Sequence, residues 1–293
     1  MCRQLGVSRS AYYKWLHREI PEQEQENIKL AELIKEYDER FNHILGYRRM
    51  TSWINHFNQT HYSKKRVHRM MKKLGIHSVI RRKKKKYTSS TPEITAENKL
   101  NRDFSANKPN EKWVTDVTEF KVPNEKKKLY LSAILDLYDR YPVAYAISTR
   151  NDNRLVFETF DKAIAANPEA KPLFHSDRGF QYTSKVFQRK LREREMEQSM
   201  SRTGHCIDNG PTEGFWGIIK SEMYQMYEIT DEVSLHFAID DYIRFYCDER
   251  PQDRYHCKTP LEVRMEAQVT EYPINYPIPI NKRIQKYKQK WYA

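Results

Sequence analysis

Between residues 24 and 76 the apolar positions recur three and four apart, the spacing of one face of a helix. Ile28, Leu30, Leu33, Ile34 and Tyr37 predict a first helix over residues 24–37. "GYRRMTSWINHF" predicts a second over 46–57, opening at a glycine. "SKKRVHRMMKKLGI" predicts a third over 63–76, capped by Ser63 and stopped by Gly75, with Val67, Met70, Met71 and Leu74 inward and the cations outward. From residue 112 the period changes to two. "KWVTDVTEFKV" (112–122), "KLYLSAILDLYD" (128–139) and "PVAYAIST" (142–149) predict three strands joined by short turns. A helix follows over 153–166, with Leu155, Val156, Phe160 and Ile164 inward. Then come a short apolar strand (171–177), a helix (184–196), a strand (197–201) and two more helices (212–224 and 231–250).

Three antiparallel strands, a helix, then strand, helix, strand and helix predict an α/β unit: a five-stranded mixed sheet with flanking helices, in an order resembling the ribonuclease-H-like fold. Before it lies a small all-α domain. The opening "LGVSRSAYYKWLHR", with Ser8 as N-cap and Tyr12, Tyr13 and Trp15 free to pack, reads as the second half of a helix-turn-helix, its partner helix lost or supplied from elsewhere. The resulting division is a partial helix-turn-helix end (1–22), a helical domain (23–80), a basic linker (81–110), the α/β core (111–265) and a tail (266–293).

Charge changes this picture because of where it sits. Residues 64–86 carry twelve Lys or Arg and no acid, almost the whole of the net +13. Such a cluster points to a polyanion, nucleic acid before a membrane surface, with a solvated charged linker as the alternative. The candidate contacts are Lys64, Lys65, Arg66, Arg69, Lys72 and Lys73 on the third helix, then Arg81, Arg82, Lys83, Lys84, Lys85 and Lys86. No apolar run approaches membrane-spanning length and no secretory segment opens the chain, so a soluble, intracellular protein is expected. Cys2, Cys206, Cys247 and Cys257 are scattered and fit neither a zinc site nor a disulfide framework.

The candidate chemistry lies in carboxylates that the strand pattern does not need. Asp116 interrupts the alternation of "WVTDVTEF", where an ionised carboxylate is costly unless paired or metal-bound; the alternative is an edge-strand Asp facing water. Asp177 ends the fourth strand in "PLFHSDRGFQYTS", an ordinary turn taken alone, yet at the strand end where such sheets present ligand groups. Glu213 opens a helix after thirty-five intervening residues. Three such acids can hold two magnesium ions, hard cations that prefer oxygen, for in-line phosphoryl displacement.

"GYRRMTSWI", "WVTDVTEF", "FHSDRGFQYTS" and "SMSRTGHCIDNGPTEGFWGIIKSE" together resemble the second-reading-frame (OrfB) transposases of the insertion-sequence-three family, within the DDE transposase and retroviral-integrase superfamily. The resemblance spans nearly the whole chain. It implies an integrase catalytic core with Asp116, Asp177 and Glu213 as catalytic and metal-binding acids, and Mg2+ as two ions for which Mn2+ can substitute. It places a basic residue seven positions after the glutamate, here Lys220, two helical turns on and so on the same face. It further implies cleavage at element ends, strand transfer by a 3′-hydroxyl, double-stranded terminal-repeat and target DNA as partners, and a homo-oligomer on DNA. A first-reading-frame product or a fusion with it would supply the missing helix. Arg178 and Arg202 are candidate phosphate contacts, and His175 and Asn209 supporting residues. Gly210 and Pro211 depart from the alanine often found after the Asp-Asn pair, and Cys247 follows Tyr246 where asparagine is usual. The competing readings are a non-catalytic DNA-end-binding protein and a ribonuclease-H-type nuclease.

Overall fold

The structure is a computed structural model that describes residues 2, 4, 6–80, 96–123, 125, 127–202 and 206–278. The expected contacts Arg81, Arg82, Lys83, Lys84, Lys85 and Lys86, and residues 279–293 of the tail, lie outside the described residues. The chain divides into two compact units, Met1–Val79 and Ile80–Ala293. No helix among the described residues is long and apolar enough to cross a membrane.

In the first unit, α1 (Arg9–Leu16) is capped by the Ser8 hydroxyl and buries none of its residues. Helices α2 (Glu22–Arg40), α3 (Tyr47–Phe57) and α4 (Lys64–Leu74) enclose a core of Leu30, Ile34, Phe41, Met50, Trp53, Val67 and Met71. Phe41 and Trp53 are its centre, their rings 4.4 Å apart. Ile28, expected inward, is exposed, because the inward stripe of α2 follows Leu30, Ile34 and Tyr37. Ser63 accepts the Arg66 N–H, and Gly75 closes α4 at φ +72°, the left-handed cap glycine adopts without strain.

The second unit is built on a five-stranded mixed sheet in the order β3-β2-β1-β4-β5. β1 (Lys112–Lys121) pairs antiparallel with β2 (Lys128–Asp136), which pairs antiparallel with β3 (Pro142–Ser148). On its other side β1 runs parallel to β4 (Leu173–Ser176), and β4 parallel to β5 (Gln198–Met200). The expected second strand stops at Asp136 and not at 139, because the next residues form the hairpin turn: the Asp136 and Asp139 carboxylates accept the N–H groups of Tyr138 and Tyr141.

One sheet face carries Trp113 and Phe174 against α5 (Asn153–Ala166) and α7 (Lys185–Glu193), through Phe160, Phe187 and Leu191. Between β4 and α7 a short helix, α6 (Phe180–Thr183), that the sequence pattern did not announce buries Tyr182 in this core. Because strand side chains alternate, the residues of β1 between these positions face the other way, toward α8 (Gly210–Met226). Helices α9 (Glu232–Asp248) and α10 (Pro260–Gln268) complete the unit. Arg264 of α10 reaches Asp136 at 3.2 Å and Asp139 at 2.8 Å, so Asp136 is a buried structural carboxylate. Residues 96–110, read above as linker, are packed: Leu100, Arg102, Phe104 and Ala106 are all buried.

Candidate active site

The parallel ladder aligns Trp113 with Phe174 and Val114 with His175. Two residues further along each chain stand Asp116 and Asp177, which the register therefore brings level across adjacent strands. Helix α8 lies along the same face of β1. The Trp216 indole N–H donates to Asp116 Oδ2 at 3.0 Å, the Lys220 ammonium to the Thr118 hydroxyl at 2.5 Å, and the Lys121 N–H to the Tyr224 hydroxyl at 2.9 Å. These contacts recur at helical spacing, one turn per strand step, and fix where the first turn of α8, with the exposed Glu213, comes to lie.

The electrostatics show Asp116 sensing the other two acids. Burial, then the charge of Asp177, and least that of Glu213, push the Asp116 carboxyl up to about 7; the N–H bonds of Trp216 and Val117 oppose them. Burial also raises Asp177, against the Gly179 N–H that donates to its Oδ1 at 2.9 Å. In this arrangement no three His, Cys, Asp or Glu side chains among the described residues stand close enough to hold an ion. The donor chemistry nevertheless suits one: all three groups are hard oxygen donors, and the pair on the strands is short of positive charge.

The remaining sequence-predicted residues separate. His175 is fully buried, between the Ser199 hydroxyl at 2.9 Å on Nδ1 and that of Ser201 at 3.1 Å on Nε2, and burial holds it down to about 4. It links β4 to β5 and its neighbouring residues and does not face solvent. Asn209 donates to the Thr115 carbonyl at 3.0 Å, tying the start of α8 to the strand beside Asp116. Arg178 donates to the Ser201 carbonyl at 2.7 Å. Arg202 is turned to Asp208, its Nε at 2.9 Å from Oδ2. In the first unit Lys64, Lys65, Arg69, Lys72 and Lys73 stand exposed on α4, whereas Arg66 is half-buried and donates to Asn27.

Trp216 was not among the residues singled out above. It is buried three residues after Glu213 on the same helix, and a buried indole N–H must find an acceptor, the one signal the sequence offered for its bond to Asp116. Arg102 gave no signal at all; its partner lies 106 residues away.

Comparisons with known proteins identify the family. An integrase core domain family matches residues 106–206, a second integrase core domain family 213–272, and an HTH-like domain family 23–84. The transposase InsK of insertion sequence element IS150 from Escherichia coli K12 is 36% identical over 91% of this chain and 93% of its own length. A transposase-like protein of Haemophilus influenzae Rd is 38% identical over 75% of this chain and 97% of its own. Among solved structures, the HTLV-2 integrase catalytic core domain in complex with magnesium superposes with a TM-score of 0.42 at 22% identity, over 53% of this chain and 95% of that one. Fold and relatives define a DDE-type polynucleotidyl transferase acting on DNA, an integrase core preceded by a helical DNA-binding domain. Within that class, the chain belongs to the OrfB transposases of the insertion-sequence-three family.

Proposed function

We propose that Asp116, Asp177 and Glu213 are the catalytic acids and hold two Mg2+ ions, with Mn2+ able to substitute, and that the chain cleaves one strand at each element end and joins the freed 3′-hydroxyl to a second phosphodiester. The observation that carries this reading is the register that sets two buried acids side by side across β1 and β4. Asp116 comes level with Asp177 on the neighbouring strand, both are raised by burial, and the charges of Asp177 and, less, Glu213 raise Asp116 further. Divalent cations bound there would activate the attacking oxygen and stabilise the leaving one. The chain's own groups do the positioning. Trp216 and the Val117 N–H fix the Asp116 carboxylate, and the Gly179 N–H fixes Asp177. Glu213, exposed on the first turn of α8, is the third acid. Lys220, held over the Phe120 ring, and Arg178 flank them as phosphate contacts. The exposed cations of α4 and those at residues 81–86 hold terminal-repeat DNA. Pairing two ends calls for a homo-oligomer on DNA, with a first-reading-frame product or fusion as a further partner.

The test is cleavage and joining of double-stranded terminal-repeat DNA in Mg2+ by the wild type and Glu213→Gln. We expect the variant to lose both steps by about a thousandfold or more while still binding the DNA. Retained activity would remove Glu213 from the site. A wild type that cuts and never joins would favour a ribonuclease-H-type nuclease.

A further inference from the structure

We infer that residues 96–106 are a strap that completes the active site, and that Arg102 is a positioning residue for Glu213. This stretch lies between the matched HTH-like region, which ends at 84, and the first matched integrase region, which begins at 106. The inference rests on the reading of Glu213 as a metal ligand.

The strap runs along the outer side of β5, the edge strand of the sheet. The Met200 N–H donates to the Glu97 carbonyl at 3.3 Å, and the Leu100 N–H to the Ser199 hydroxyl at 3.0 Å, the same hydroxyl that meets His175. From this anchorage it reaches the turn Cys206–Asn209, which leads into α8. Asp208 in that turn is fully buried and receives Nε of Arg102, Nδ2 of Asn98 at 2.9 Å, and the backbone and side chain of Arg202 at 3.0 and 2.9 Å. Phe104 closes the arrangement. A methyl group built on Gly210, the first residue of α8, would lie 3.9 Å from its ring.

Glu213 comes three residues after Gly210, one helical turn beyond this anchorage. The turn before it is pinned on two sides, by Asn209 to β1 and by Asp208 to the strap. Arg202 also bonds Asp208, from beside Ser201, whose N–H donates to the Ser176 carbonyl of β4 at 2.9 Å. Arg102 comes from a segment bonded to β5, so it ties the loop to the sheet that carries Asp177. Its bond to Asp208 sets the helix origin, and with it the distance from Glu213 to the two strand acids.

The experiment uses the full chain and Mn2+ as probe, with bound ion counted by electron paramagnetic resonance alongside cleavage of terminal-repeat DNA. Folding of each variant is checked by circular dichroism and DNA binding. Arg102→Gln should weaken Mn2+ binding about 10- to 100-fold, and Arg102→Lys should recover part of the loss. On the Glu213→Gln background, Arg102→Gln should cost nothing more, because its effect passes through the missing carboxylate. Unchanged Mn2+ binding in folded Arg102→Gln, or an equal further loss on the Glu213→Gln background, would overturn the inference. If Arg102→Gln does not fold, Asn98→Ala is judged by the same two criteria. A Glu213→Gln chain that binds Mn2+ and cleaves normally would sink the underlying reading. One that fails while the Arg102 and Asn98 variants behave as wild type would sink only the strap.

Discussion

Helix α4 and the integrase unit treat charge in opposite ways. Helix α4 sends its apolar residues inward and leaves Lys65, Arg69, Lys72 and Lys73 in water. The integrase unit takes charges inside: Asp208 with Arg102, Glu222 with Arg250, and Asp136 and Asp139 with Arg264. A solvated cation is available to a polyanion and contributes little to the fold. A buried ion is costly to desolvate and is tolerated only where its partner is held in place. The difference separates affinity from precision. The helical unit needs a dense field that tolerates change at any one position, whereas the catalytic unit needs acids fixed to fractions of an ångström.

The sharpest way to break this contrast is to unpair a buried ion. Glu222 of α8 accepts both Nε and Nη2 of Arg250 at 2.9 Å, and the Tyr242 hydroxyl at 2.8 Å, with almost no exposure to water. Arg250→Met should destabilise the integrase unit by about 3–5 kcal/mol, measured by urea unfolding, because a buried carboxylate loses its countercharge. Replacing Glu222 by Met as well should restore most of that loss. If the single variant unfolds like the wild type, buried charge is not what organises this unit.

A smaller effect follows from the strap. Burial alone would raise the Asp208 carboxyl, but the hydrogen bonds from Arg202, then that from Arg102, overrule it and hold the group at about 2, against an ordinary 3.8. A depressed folded value means that the stabilisation is complete above pH ~4 and is lost as pH falls toward 2. It amounts to about 2 kcal/mol at neutral pH. Asp208→Asn should therefore be less stable than wild type at pH 7, and the gap should close as the pH is lowered to 2. A gap independent of pH would mean that packing and not charge holds the loop.

What was legible in the sequence follows the same division. Period and capping residues announced α4, with Ser63 and Gly75 at its ends, because a half-buried helix writes its environment into every third or fourth residue. The alternation around Asp116 and the apolar run into Asp177 announced two strands. Strand order and spacing set them beside Glu213 as one candidate site, and the resemblance to a known family implied their roles. Hidden were the partners of buried charges. Nothing near Arg102 marks it as the counterion of Asp208, and nothing near Arg264 marks it as the lock on Asp136 and Asp139, since long-range pairing leaves no local period. The four-residue α6 was hidden for another reason: one helical turn is too short to show a repeat.

The smallest expected effect tests the exposed side of the contrast. Each α4 cation that meets a phosphate displaces a condensed counterion, so its removal should change the salt dependence of binding more clearly than the fold. Lys72→Ala and Lys73→Ala, made together, should weaken terminal-repeat binding at low salt. They should also flatten the plot of log affinity against log salt by about 0.9 for each phosphate no longer neutralised. Both side chains are exposed, so the urea midpoint should stay within experimental error of wild type. A fall in stability without a change in slope would mean that these lysines hold up the helical unit. An unchanged slope with unchanged stability would move the DNA-binding surface off α4 and onto the cations that follow it in the chain.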